Sequence, residues 1–290
     1  MKKQLLLILL LPCAITHLQA QKIDRKLQAT IQSLLQGFHG SAGIYIHDLQ
    51  KNKMVAVNAD SIFPTASMVK IPILIGIMHK LQDSALHYHQ ELLYRDSLLY
   101  PGVDLLGASK DSQRIELSKV MMLMLSMSDN TASLWLQSFA GGGQQINQYL
   151  DSLGMKTTRV NSRTPGRENA RNQYGWGQTS PREMATLMEK IVKKQIINAA
   201  ISDKMLRLLS RNYWDEEAVS QVPAGVFVAS KNGAVDESRS EVLYVNGKKA
   251  RYIFCICTNN NKDTSWTEDN EAWTLIRKVS LTLWNYYGGN

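Results

Sequence analysis

What most constrains this chain is where its two kinds of hydrophobic periodicity fall. Period-two alternation appears early, in "AGIYIHDLQKNKMVAVN", and returns after Val222, in "GVFVASKNG" and "SEVLYVNGKKARYIFCICT". Between them the patterns are helical: "IPILIGIMHKLQ", "IELSKVMMLMLSMS", "NTASLWLQSFAGGG", "QINQYLDSLG" and "SPREMATLMEKIVKK". The early hairpin, Gly43–Asp48 with Met54–Asn58, and the late strands therefore bracket an all-helical insert, and one sheet built from both chain ends can hold them. The expected fold class is α/β in the α+β sense: an antiparallel sheet from both ends with flanking helices, plus an all-α lobe. The α/β lobe is expected over about 21–66 and 210–290 and the all-α lobe over about 67–209.

Local signals punctuate this outline. "IDRKLQATIQSLLQGFHG" has helical spacing closed by glycine, and Gly154 stops "QINQYLDSLG". Asn246–Gly247 between two strand patterns marks a hairpin. Pro181 suits the first turn of a helix. Lys156 to Thr179 is rich in Arg, Asn and Gly, and a loop of that length is usually functional or disordered. The methionines of the middle helices read as packing.

Lys2 and Lys3 precede the apolar run Leu5–Leu11, and "HLQAQ" offers a small residue at Ala20. This is the anatomy of an export signal cleaved after residue 20, too short to span a bilayer. Pro12 before Cys13 does not fit a lipid-attachment signal. The expected mature protein, 21–290, is exported to the periplasm, has no membrane span and acts as a monomer. Removing Lys2 and Lys3 takes the net charge from +8 to +6. The basic residues are scattered without interleaved aromatics, which argues against a nucleic-acid partner. Cys255 and Cys257, two apart on a strand, point to one face and are poorly placed to bridge each other; no ligand-spaced Cys/His cluster implies a metal.

Candidate chemistry centres on "PTASMVKIPI", Pro64–Ile73. A helix starting near Ser67 puts Ser67 and Lys70 on one face, with the Ser67 amide among the free N–H groups of the first turn. Burial disfavours a charged lysine, so Lys70 can act as a base for the hydroxyl. Two further motifs follow in order: Ser128-Asp129-Asn130 after an apolar helix, and Lys231-Asn232-Gly233 at the end of a strand. Ser-x-x-Lys, Ser-Asp-Asn and Lys-Thr-Gly in this order resemble class A β-lactamases and penicillin-binding proteins. "FPTASMVK" and "VPAGVFVASKNG" resemble the family's flanking segments, and the likeness runs from about Ile23 to Tyr287.

The resemblance implies a β-lactamase/DD-peptidase-like fold with its site between the lobes and no cofactor. Ser67 would be the nucleophile, Lys70 a base or proton relay, and Ser128 the proton donor toward the leaving nitrogen. Asn130 would hold the substrate amide, and Lys231 would offer charge to Ser128 and to a substrate carboxylate, with Gly233 on the same strand. The Ser67 and Ala234 amides would form the oxyanion hole. Asp129 suits a helix cap. Two departures stand out. Asn232 replaces the family's Thr or Ser, offering an NH₂ donor in place of a hydroxyl. Deacylation in the family uses a loop glutamate with an asparagine four residues on; Glu168 and Asn172 have that spacing, but Arg167 and Arg171 flank Glu168 and could hold it at the surface. Arg239 resembles a carboxylate-binding arginine, or is a strand-face cation. Tyr100 is a rim aromatic or a packed loop residue, and Trp176 reads as loop packing. The expected activity is a serine β-lactamase. A DD-peptidase acting on D-Ala-D-Ala cell-wall peptides, or a non-hydrolysing β-lactam sensor, are the alternatives.

Overall fold

The computed structural model describes residues 21–288; the expected export signal, with Cys13, lies outside the described residues. β1 (Lys22–Ile23) leads into α1 (Arg25–Leu34), capped by Asp24, which accepts from Leu27 N–H. The hairpin β2 (Ser41–Asp48) and β3 (Lys53–Val57) follows. β4 (Phe63–Pro64) and a 3₁₀ turn (Ala66–Val69) run into α2 (Lys70–Gln82). A ribbon of β5 (Glu91–Leu93) and β6 (Arg114–Glu116) precedes α3 (Leu117–Ser126), α4 (Asn130–Phe139) and α5 (Gly142–Ser152). β7 (Arg159–Val160), α6 (Glu168–Tyr174) and β8 (Gly177–Thr179) come before α7 (Pro181–Val192) and α8 (Ala199–Leu209). The chain then returns to the sheet as β9 (Phe227–Val235), β10 (Ser238–Asn246) and β11 (Arg251–Asn259), followed by α9 (Glu271–Tyr286).

The main sheet has the order β1-β3-β2-β11-β10-β9, so the early hairpin joins the late strands where β2 pairs with β11. Register there sets Tyr45 opposite Cys255 and Ile46 opposite Phe254. Alternation along β11 feeds two cores. Tyr252, Phe254 and Ile256 pack with Leu27 and Ile31 of α1 and with Leu275, Val279 and Leu283 of α9. Ile253, Cys255 and Cys257 face the other way, onto a core shared with α2, α3, α4 and α7. Each fully buried side chain of this kind contributes about 1.5–3 kcal/mol, so both faces hold the sheet firmly. The two thiols are buried, free, and 3.8 Å apart on the same face.

α2 is the helix around which the middle of the chain packs. Every residue from Lys70 to Met78 is buried, as its near-continuous apolar sequence requires. Burial at the head of this helix is what removes Lys70 from water. Two expectations need adjustment. The stretch from Lys156 to Thr179 is ordered, with β7, α6 and β8 of its own; the Glu183 carboxylate collects the amides of Lys156, Thr157 and Thr158, and Arg167 braces Asn161 and Gln178. Asn246–Gly247 does mark a hairpin, but its loop runs over Gly247–Ala250 and closes with Gly247 N–H on Ala250 O at 2.8 Å. Among the described residues no helix is long and apolar enough to cross a membrane.

Candidate active site

Ser67 does not sit in the first turn of an α-helix, as its spacing from Lys70 suggests. It lies in the 3₁₀ turn Ala66–Val69, directly ahead of α2. Ala66 has φ +43°, a left-handed conformation that costs a non-glycine residue about 1–3 kcal/mol and marks a turn held by its surroundings. The outcome for the pair is as expected: Lys70 Nζ is 3.0 Å from Ser67 Oγ.

The same amine meets the second motif. It donates to Ser128 O at 2.6 Å, lies 3.1 Å from Ser128 Oγ, and is 3.0 Å from Asn130 Oδ1. The two carbonyl oxygens can only accept. A neutral amine has two protons for them and one lone pair, and that lone pair is left for a hydroxyl of Ser67 or Ser128. Burial pushes Lys70 well below the usual lysine value; the nearby Lys231 charge adds to this and Asp129 opposes it. Geometry and electrostatics thus both make Lys70 competent to take a proton from Ser67.

Ser128 lies in the hinge between α3 and α4 at φ +59°, a second left-handed residue in the same site. Asp129 fixes the hinge: Oδ1 caps α4 through Ala132 N–H at 2.7 Å, and Oδ2 accepts the amides of Leu105 and Leu106 at 2.6 and 2.8 Å. The resulting loop reaches over Asn130, whose amide donates to Val103 O at 2.8 Å.

β9 brings the third motif to the nucleophile. A Cβ on Gly233 would stand 2.6 Å from Thr65 O and 2.7 Å from Ser67 N, so only glycine lets the strand approach this closely. Ala234 follows with its own amide. Lys231 is fully buried and donates to Asn232 O at 2.9 Å and Asn232 Oδ1 at 3.1 Å. The expected link to Ser128 is not among its hydrogen bonds. Burial lowers Lys231 to about 7, against the opposing pull of Glu241. Asn232 uses its carbonyl oxygen on Lys231, which leaves its NH₂ group as a spare donor.

The remaining expected residues make no hydrogen bond to Ser67, Lys70, Ser128 or Asn130. Glu168 is exposed in the first turn of α6, and its Oε1 accepts from Gly166 N–H at 3.0 Å. Asn172 is exposed further along the same helix. Neither bonds Ser67, Lys70, Ser128 or Asn130. The flanking arginines do not hold Glu168 either, since Arg167 is turned inward to Asn161 and Gln178. Arg239 is a correction: it is wholly buried, donates to the carbonyls of Val235, Asp236, Ser238 and Ser265, and lies 4.5 and 4.6 Å from the rings of Trp266 and Trp273, which pack edge to face on each other. It organises the β9–β10 turn, and its hydrogen bonds all go to main-chain carbonyls. The Tyr100 ring packs edge-on against Trp176 at 4.9 Å, and its amide donates to Thr131 Oγ1 at 2.8 Å, next to Asn130.

Two residues that support the site escaped the sequence reading. Ser240 Oγ, beneath β9, donates to Thr65 O at 3.3 Å, tying the sheet to the Ser67 turn. Glu241 is a buried carboxyl that accepts from Ala218 N–H at 2.9 Å and that burial raises to about 8. Polar residues inside the otherwise apolar β10 were the available signal. Among the described residues no cluster of three or more His, Cys, Asp or Glu side chains could hold a metal ion.

A sheet drawn from both chain ends, with a buried lysine behind a serine at the head of a central helix, is the fold of the serine β-lactamase and penicillin-binding superfamily. Within it the chain belongs to the β-lactamase enzyme family, whose family model matches residues 26–287. It is 23% identical over 237 residues to a β-lactamase of Bacteroides uniformis, an alignment covering 80% of this chain and 79% of that one. Among solved structures, a PBP-A mutant in an acyl-enzyme complex with penicillin G superposes with a TM-score of 0.81 at 26% identity, covering 94% of this chain and 100% of that one. A class A β-lactamase from Mycobacterium abscessus shares the fold with a TM-score of 0.80 at 22% identity, over 90% of this chain and 99% of that one.

Proposed function

We propose that this protein is a serine hydrolase of the cell envelope that β-lactams acylate at Ser67, and that its acyl-enzyme is long-lived. In this reading Lys70 takes the Ser67 proton, Ser128 passes a proton to the leaving nitrogen, and the amides of Ser67 and Ala234 hold the oxyanion. Asn130, Asn232 and Lys231 bind the substrate's amide and carboxylate. The natural acyl donor is then a D-Ala-D-Ala-type cell-wall peptide, of which the β-lactam is a mimic. One observation carries the slow second half: the carboxylate with the spacing of a deacylating base, Glu168, is exposed and turned to Gly166 N–H. Water in the acylated site would have no carboxylate base bonded to the Ser67–Lys70–Ser128 group.

A second reading, a turning-over β-lactamase, is favoured by the relatives that bear that name. The experiment that separates them is simple. Mature protein mixed with a chromogenic cephalosporin should give a burst of about one equivalent, with the adduct on Ser67 seen by intact mass, and should release D-alanine from a D-Ala-D-Ala peptide. Many turnovers of the cephalosporin would establish the β-lactamase reading instead. No adduct on Ser67 with any β-lactam would end both.

A further inference from the structure

α3 ends at Ser126, so the carbonyls of Ser126 and Met127 have no partner within the helix. Both are taken by the segment that follows α8: Tyr213 N–H donates to Ser126 O at 3.0 Å, and Trp214 Nε1–H to Met127 O at 2.9 Å. The next residue is Ser128, in its left-handed conformation. Asn212, at the other end of the segment, donates through Nδ2 to Ser230 Oγ at 3.0 Å, the residue before Lys231. The Asn212 carboxamide also closes on its own segment, accepting from Trp214 N–H at 3.3 Å and donating to Trp214 O at 3.0 Å. A single three-residue bridge therefore bonds the Ser128 hinge with one end and β9 with the other.

We propose that Asn212 and Trp214 are positioning residues that fix Ser128 relative to Lys231, and so set how fast the leaving nitrogen is protonated. The inference rests on the acylation of Ser67 proposed above. In that step the Ser67 Oγ–carbon bond forms and the carbon–nitrogen bond breaks. The proton lost by Ser67 goes to Lys70, and the leaving nitrogen gains one through Ser128. A thioester has no such need, because thiolate leaves without a proton. Misplacing Ser128 should therefore slow amide cleavage and spare thioester cleavage, whereas general loosening of the site would slow both.

The test uses mature wild type, Trp214→Phe, which keeps an aromatic ring but removes the N–H donor, and Asn212→Ala. The rate constant for acylation of Ser67 is read by quench and intact mass with benzylpenicillin and with an acyl-D-alanyl thioester, alongside thermal unfolding. Each variant should react about five- to tenfold more slowly with the penicillin, the effect of one lost hydrogen bond, and less than twofold more slowly with the thioester. Equal slowing with both donors, or no slowing with the penicillin in the variant that keeps the wild-type unfolding temperature, overturns the inference. If wild type itself forms no Ser67 adduct with either donor, the proposed function has failed and takes this inference with it, a result distinct from labelled wild type with unaffected variants.

Discussion

The neighbourhood of Lys70 and that of Glu168 differ in how they are built. Lys70 stands on a helix buried along its whole first half, and its amine touches groups from the 3₁₀ turn, the α3–α4 hinge and α4. Glu168 stands on a seven-residue helix with no buried residue, and its carboxylate bonds an amide two residues away. Long-range packing fixes the first group, because moving it would disturb a core. A local turn fixes the second, and nothing ties it to the serine. Under the function proposed above, the contrast favours forming an acyl-enzyme over breaking it.

The comparison can be broken most decisively at its strong end. Ser67→Ala should abolish covalent labelling by penicillin, and Lys70→Ala should slow it by about 10²–10⁴ through loss of the base; labelling that survives Ser67→Ala, read by intact mass, would remove the acylation centre. Gly233→Ala forces a methyl group into backbone atoms of Thr65 and Ser67. It should slow acylation by about 10²-fold by displacing an oxyanion donor, as stopped-flow quenching would show.

Smaller effects sharpen the electrostatic part. Lys231 loses its charge as pH rises through about 7, so acylation by a carboxylate-bearing penicillin should fall across that pH more steeply than acylation by its methyl ester. Glu241, raised to about 8 from the ordinary 4.5, keeps in the folded chain a proton that the unfolded chain has released between those values. Stability should therefore fall as pH rises across that window, and Glu241→Gln should flatten the fall in urea titrations. The smallest effect belongs to the exposed region. Glu168→Gln should change the lifetime of the acyl-enzyme by less than twofold, and a hundredfold lengthening would mean that α6 swings inward after acylation.

Much of this was legible from residue spacing. Alternation at both chain ends foretold a shared sheet, and Ser-x-x-Lys foretold the Ser67–Lys70 contact whether the turn was α or 3₁₀, since either brings residues three apart onto one side. Asp129 read as a cap and is one. Spacing left the reading open where one residue type serves two ends. Arg239 has the composition of a carboxylate ligand, but the rings of two tryptophans some thirty residues further on lie against it. Glu168 and Asn172 have the spacing of a water-holding pair, yet spacing within a short helix does not say which way that helix faces.

By itself, then, the sequence determined the periodicities, the caps, the order of the three motifs and the identity of the groups able to react. Those depend on interactions within a few residues, where backbone geometry leaves little choice. Tertiary structure alone decided that Lys70 would be stripped of water, that Gly233 would press against the Ser67 amide, and that Glu168 would be exposed with its carboxylate on Gly166 N–H. Each of these is settled by contacts between segments distant along the chain, and by which surfaces the core removes from solvent.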